Sequence, residues 1–257
     1  MLWRVALIAL TLTVPSGAHA ATYSCGQFPL LDDSVPKEQR ADILLKRALA
    51  CVKEGKPLQS IALFSELIGL QPDNIDAYLN RGSAYMQSGQ FELAVADYSH
   101  VISLKPNAVE AWYNRGTAFV IAHHYDRAIG DLSEAIRLKP ETARAYCNRA
   151  LAHMGKSEYD NALKDLATGI QKNAQLPFCY FVRGELYSKK EDYQRAVEDY
   201  TQSLQLKPDN PAGLVRRGQA YEHLSQLDKA LMDFKAALAI APRFKAAAEG
   251  VKRLTPN

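Results

Sequence analysis

The chain has 257 residues, with 31 basic side chains against 28 acidic ones and a formal charge of +3. That balance excludes the clustered Lys/Arg footprint of a nucleic-acid binder. With 47% hydrophobic residues and no low-complexity run, the composition also excludes a solvated, disordered polymer.

Residues 1–20 read MLWRVALIALTLTVPSGAHA: Arg4, an apolar run over 5–14, then the small-x-small site Ala18-His19-Ala20. This is the pattern of a secretory signal peptide, and the run is too short to cross a bilayer, which takes about 20 apolar residues. The residues before Cys25 are Thr22-Tyr23-Ser24, not the small-residue box of a bacterial lipoprotein. No later segment is apolar enough to span, so the expectation is an exported chain without stable membrane insertion, with the periplasm as its compartment. An N-terminal arm over 21–40, punctuated by Pro29, Asp32, Asp33 and Pro36, leads into the first helix near Ala41.

From residue 41 the chain repeats itself every 34 residues. Residues 109–142, VEAWYNRGTAFVIAHHYDRAIGDLSEAIRLKPET, superpose on 75–108, IDAYLNRGSAYMQSGQFELAVADYSHVISLKPNA. The same pattern covers 41–74, 143–176, 177–210 and 211–244 without insertion. Apolar residues at i, i+3, i+4 and i+7 predict two amphipathic helices, A and B, in each unit. The eighth position is always Ala or Gly (Ala48, Gly82, Gly116, Ala150, Gly184, Gly218), which lets the paired helices approach. Pro72, Pro106, Pro140, Pro208 and Pro242 stop helix B. The fourth unit departs, with Lys172 in place of leucine and Ala174 in place of proline, which predicts a looser or differently angled join to the fifth. Residues 245–257 form a capping helix and tail, with Ala247, Ala248, Val251 and Leu254 facing the sixth unit.

Trp112, Gly116, Phe119, Ala128, Leu132, Ala135 and Pro140 stand at the spacings of the tetratricopeptide repeat, which the chain closely resembles. The resemblance, of an exported bacterial type, implies an all-α, right-handed superhelical solenoid of six helix-turn-helix repeats with a C-terminal cap. It also implies that the A helices line a concave groove for a protein or an extended peptide.

Arginine fills the seventh position throughout (Arg47, Arg81, Arg115, Arg149, Arg183, Arg217), and aspartate the twenty-third in five units (Asp97, Asp131, Asp165, Asp199, Asp233). Charges that recur together predict ion pairs tying helix A to helix B; the alternative is an arginine ladder gripping an acidic ligand. On the family's groove positions stand Leu79, Tyr113, Phe181, Met86, Val120 and Met154, which are either an apolar trough or ordinary packing between A helices. Asn80, Asn114 and Asn148 occupy the sixth position, resembling the asparagine ladder of O-linked N-acetylglucosamine transferases, whose amides hold a peptide backbone. Solvated asparagines are the alternative. The second position runs from acidic (Asp42, Asp76, Glu110) to Arg144, so a ligand with a basic end toward the first three repeats and a carboxylate toward Arg144 and Arg216 is expected. No three consecutive repeats carry the Lys/Asn set of the two-carboxylate clamp of chaperone adaptors.

Four cysteines follow the signal. Cys25–Cys51 is a candidate disulfide pinning the arm over the first repeat, stabilising by about 3–4 kcal/mol in the loop-entropy model, with buried thiols as the alternative. Cys147 and Cys179 lie on successive A helices at different repeat positions; a bridge or two buried thiols both remain open. No GxSxG, Walker or HExxH motif occurs, and His123-His124 has no third ligand near it, so neither catalysis, a metal nor a cofactor is expected. The functional expectation is a non-catalytic adaptor or scaffold of the cell envelope. A homo-oligomeric spacer is the alternative and an enzyme a lesser one.

Overall fold

A computed structural model describes Cys25 and residues 35–255. The expected signal segment and cleavage site, and the arm apart from Cys25 and residues 35–40, lie outside the described residues. Among these are thirteen α-helices and no strand. They are α1 (Lys37–Lys53), α2 (Pro57–Leu70), α3 (Ile75–Ser88), α4 (Phe91–Leu104), α5 (Val109–Ile121) and α6 (Tyr125–Leu138), followed by α7 (Ala143–Gly155), α8 (Tyr159–Lys172), α9 (Pro177–Lys189), α10 (Tyr193–Leu206), α11 (Pro211–His223), α12 (Leu227–Ile240) and α13 (Lys245–Leu254). Odd-numbered helices through α11 are the A helices and even-numbered ones the B helices, so the chain is built of helix-turn-helix repeats. It divides into two compact units, one ending at Leu138 with three repeats and one starting at Lys139 with three repeats and α13.

Local chemistry sets the helix ends. Asn74, Asp192 and Asn210 cap α3, α10 and α11 by accepting from the backbone N–H three residues on, at 2.9, 3.1 and 3.1 Å. Pro57, Pro177 and Pro211 open their helices, where a missing N–H costs nothing. The first helix starts at Lys37, a turn earlier than the repeat pattern alone gives, because Pro36 supplies a helix-compatible boundary and Glu38 places an acid in the first turn.

The turn between A and B has one feature that periodicity does not announce. Its fifteenth-position residue is left-handed in every repeat: Gly55, Gly89, His123, Ser157, Glu191 and Ser225, with φ between 57 and 78°. Only two of the six are glycine, although L side chains are disfavoured there.

Within each repeat the small eighth residue is sterically required. A Cβ on Gly82, Gly184 or Gly218 would sit 2.7, 2.7 or 2.8 Å from the ring of Tyr98, Tyr200 or Phe234 on the paired B helix. Those three rings are fully buried, and each contributes about 1.5–3 kcal/mol of apolar burial. The cap α13 packs on α12, with Ala247 and Gly250 buried and Val251 and Leu254 half-buried. Ala248, expected on that face, is exposed. Gly250 takes the contact instead, close enough to Phe234 that a Cβ would lie 2.5 Å from its ring. The cap is further tied down by Arg253, which donates to Glu222 at 2.8 Å.

Candidate functional site

The recurring arginines and aspartates form two-pronged bridges. In Arg81–Asp97, Arg115–Asp131, Arg149–Asp165, Arg183–Asp199 and Arg217–Asp233, Nε and Nη2 donate to the two carboxylate oxygens at 2.7–2.9 Å. The aspartates are buried and the arginines mostly so. The hydrogen bonds donated to Asp97, Asp165, Asp199 and Asp233 hold the Arg81, Arg149, Arg183 and Arg217 guanidinium groups above their ordinary pKa. A planar fork matches a carboxylate in a way a lysine cannot. These charges are consumed inside the fold.

Three of the guanidiniums also have a third prong, which the sequence reading missed. Nη1 of Arg81, Arg115 and Arg217 donates to Ser65, Ser99 and Thr201 on the B helix of the preceding repeat, at 3.0, 2.9 and 3.2 Å. The signal was present, since a hydroxyl recurs there at Ser65, Ser99, Ser133 and Thr201. The guanidiniums of Arg81, Arg115, Arg149 and Arg183 also lie 4.9–5.7 Å from the rings of Tyr78, Trp112, Tyr146 and Tyr180.

The fourth repeat carries a local variation. His153 Nδ1 lies 2.7 Å from Glu158 Oε2, and its Nε2 lies 3.7 Å from Asp165. The hydrogen bond from Lys156, followed by that of His153, lowers the Glu158 carboxyl from its ordinary 4.5 to about 2.

The proposed ligand-facing side chains fall in both units. In the first, Leu79, Met86, Tyr113 and Val120 are buried, and Leu79 and Met86 share a core with Ala111 and Ala118 of the next A helix. Asn80 Nδ2 donates to Asp76 O at 2.8 Å. Asn114 is fully buried, and neither its Oδ1 nor its Nδ2 has a hydrogen-bond partner. In the second unit, Met154 and Asn148 are buried, whereas Arg144 and Phe181 are half-buried. Arg216 is half-buried too, but its Nε donates to Glu185 Oε1 at 2.9 Å, and Glu185 also accepts from the Tyr200 hydroxyl at 2.8 Å. That triad occupies the arginine assigned to a ligand carboxylate. Burial and the Glu185 charge together push the Tyr200 hydroxyl well above its usual pKa.

Cys25 and Cys51 are bonded, with Cα atoms 4.6 Å apart, and the Cys25 N–H donates to Glu54. Cys147 and Cys179 are bonded as well, with Cα atoms 5.4 Å apart. His123 is a turn residue whose Nδ1 meets the Tyr125 hydroxyl at 2.7 Å. No group of three metal-ligating side chains occurs among the described residues, and no described helix is long and apolar enough to cross a membrane.

The chain was compared with known proteins. Comparison with curated protein sequences gives no match. A tetratricopeptide repeat protein from Parabacteroides merdae is 21% identical, with a TM-score of 0.72, over 83% of this chain and 84% of its own. MamA from Desulfovibrio magneticus RS-1 is 21% identical, with a TM-score of 0.58, over 66% of this chain and 96% of its own. YrrB, described as a tetratricopeptide repeat protein with an unusual peptide-binding site, is 20% identical, with a TM-score of 0.51, over 74% of this chain and 97% of its own. Family models described as tetratricopeptide repeats match residues 113–177 and 184–254, and a third described as a TPR repeat matches 82–120. With its helix pairs, its small eighth residue and these matches, the chain belongs to the tetratricopeptide repeat family.

Proposed function

We propose that the chain is a non-catalytic adaptor of the cell envelope that holds an extended segment of another protein against the inner faces of its A helices. The observation that carries this reading is Asn114. An unsatisfied buried amide costs about 1–3 kcal/mol, and both its oxygen and its nitrogen are unsatisfied here. A peptide backbone offers one donor and one acceptor, the complement of that amide. Because Asn114 is fully buried, a ligand would have to displace the side chains that cover it, and satisfying the amide offsets part of that cost. The likeness to a fold that includes the peptide-binding YrrB supports the same class of partner.

Charge narrows the partner. Asp76 and Glu110 stand at the second position of the second and third repeats, whereas Asp42 already pairs with Lys46 at 2.6 Å, so a segment carrying Lys or Arg fits beside the second and third repeats. Arg216 is already paired with Glu185 and is left out of the ligand's contacts. The envelope assignment rests on the two disulfides, which persist in oxidising compartments, and on the signal pattern.

The test replaces Asn80, Asn114 and Asn148 together by alanine and measures fluorescence anisotropy with a panel of short, unstructured basic peptides. The expected loss of affinity is on the order of tenfold or more, the worth of one or two hydrogen bonds. Unchanged affinity in a variant that melts with the parent removes the amides from the reading.

A further inference from the structure

The bond between Cys147 and Cys179 replaces a contact that three of the other joins make with hydrocarbon. Three repeat positions meet where one repeat abuts the next: the fifth residue of helix A, the twenty-seventh on helix B, and the third of the following A helix. At the first join these are Leu45, Leu67 and Ala77, within one core cluster. At the second they are Leu79, Val101 and Ala111, again in one cluster. Where the sixth repeat meets α13 they are Val215, Ala237 and Ala247. Where the fourth meets the fifth, the same three positions are Cys147, Gly169 and Cys179.

The three substitutions fit one another. Cys147 and Cys179 are fully buried. A Cβ on Gly169 would stand 2.5 Å from the Cys147 sulfur, 3.1 Å from the Ala143 carbonyl oxygen and 3.4 Å from the Cys179 sulfur. Glycine is therefore the residue that leaves room for the two sulfurs. Other stabilising features are missing from the same join. Lys172 stands where Leu70, Leu104, Leu138 and Leu206 stand, and it reaches away to Glu141 at 2.7 Å. Ala174 replaces the helix-stopping proline. Without the covalent bond, this join keeps a glycine-lined gap and neither of those two devices.

We propose that Cys147–Cys179 is a redox lock on a hinge between the fourth and fifth repeats. Oxidised, it holds α7 against α9. Reduction by a dithiol delivers two electrons and two protons, leaves thiols at Cys147 and Cys179, and converts the reductant to its own disulfide. The freed join then opens around Gly169 while the join between the fifth and sixth repeats stays shut.

Amide hydrogen exchange on the full chain tests this, comparing segment 173–178 with the corresponding segment 207–212. In Cys147→Ala/Cys179→Ala, and in the parent after dithiol treatment to two added hydrogens, exchange at 173–178 rises on the order of tenfold and 207–212 is unchanged. Equal exchange in the oxidised parent and the double variant, or equal acceleration at both joins, overturns the lock. A second variant, Cys147→Leu/Gly169→Val/Cys179→Ala, installs the trio of Leu79, Val101 and Ala111. It is expected to restore slow exchange at 173–178 and to be indifferent to dithiol. If it unfolds, or exchanges as fast as the double variant, the three positions are not one interchangeable contact and the proposal fails.

Discussion

Asp131 shows what a single side chain does here. Both its oxygens are taken by Arg115, whose remaining Nη1 reaches back to Ser99. One carboxylate thus orients a cation that spans two repeats. Removing it leaves a mostly buried guanidinium without its counter-charge, so Asp131→Ala is expected to lose about 3–5 kcal/mol, read as a drop in the denaturant midpoint. Unchanged melting would contradict the structural role. Ser225 makes the opposite case. Its φ of 57° is one an L side chain adopts at a cost, so Ser225→Gly is expected to raise stability by up to about 1 kcal/mol in the same measurement. The 34-residue register made the Arg–Asp pairing legible, because two charges recurring at fixed positions reveal a contact. It did not reveal the left-handed turn, since His123, Ser157, Glu191 and Ser225 share no chemistry; backbone geometry recurs there while residue type does not.

At the scale of the helix pair, the fourth repeat differs from its neighbours in how A meets B. His153 replaces the aromatic of Tyr85 and Phe119, and joins Lys156 in holding Glu158 at the turn. The Glu158 carboxyl titrates lower in the folded chain than in the unfolded one, so its contribution to stability is complete above about 4.5 and disappears as pH falls toward 2. Glu158→Gln is therefore expected to match the parent less well at neutral pH and to converge with it near pH 2, in melting curves taken across that range. Parallel curves would contradict the pairing. The helices, their stops and the cap were legible because apolar spacing and proline are local signals. The Cys147–Cys179 bond was not decidable from spacing, since the two residues sit at different repeat positions. The decisive partner, Gly169, lies on a third helix, and a packing partner on another element leaves no periodic trace.

For the molecule as a whole, the fold class follows from repetition, whereas the ligand surface does not. The sequence positions of Leu79, Met86, Tyr113 and Val120 admit both a trough and a packed seam. Leu79 and Met86 pack against Ala111 and Ala118 of the next A helix, and Tyr113 and Val120 are buried as well. The polar group without an internal partner at those positions, Asn114, could be named from the asparagine run, but its lack of partners required coordinates. The account therefore turns on whether a foreign chain reaches that amide. A photo-crosslinking residue at position 114, activated in the native host and followed by mass spectrometry of the adducts, tests it most directly. The account predicts adducts carrying a segment of a different envelope protein, rich in Lys or Arg, and lost on competition with a matching free peptide. Adducts confined to this chain's own N-terminal segment or to a second copy would contradict it.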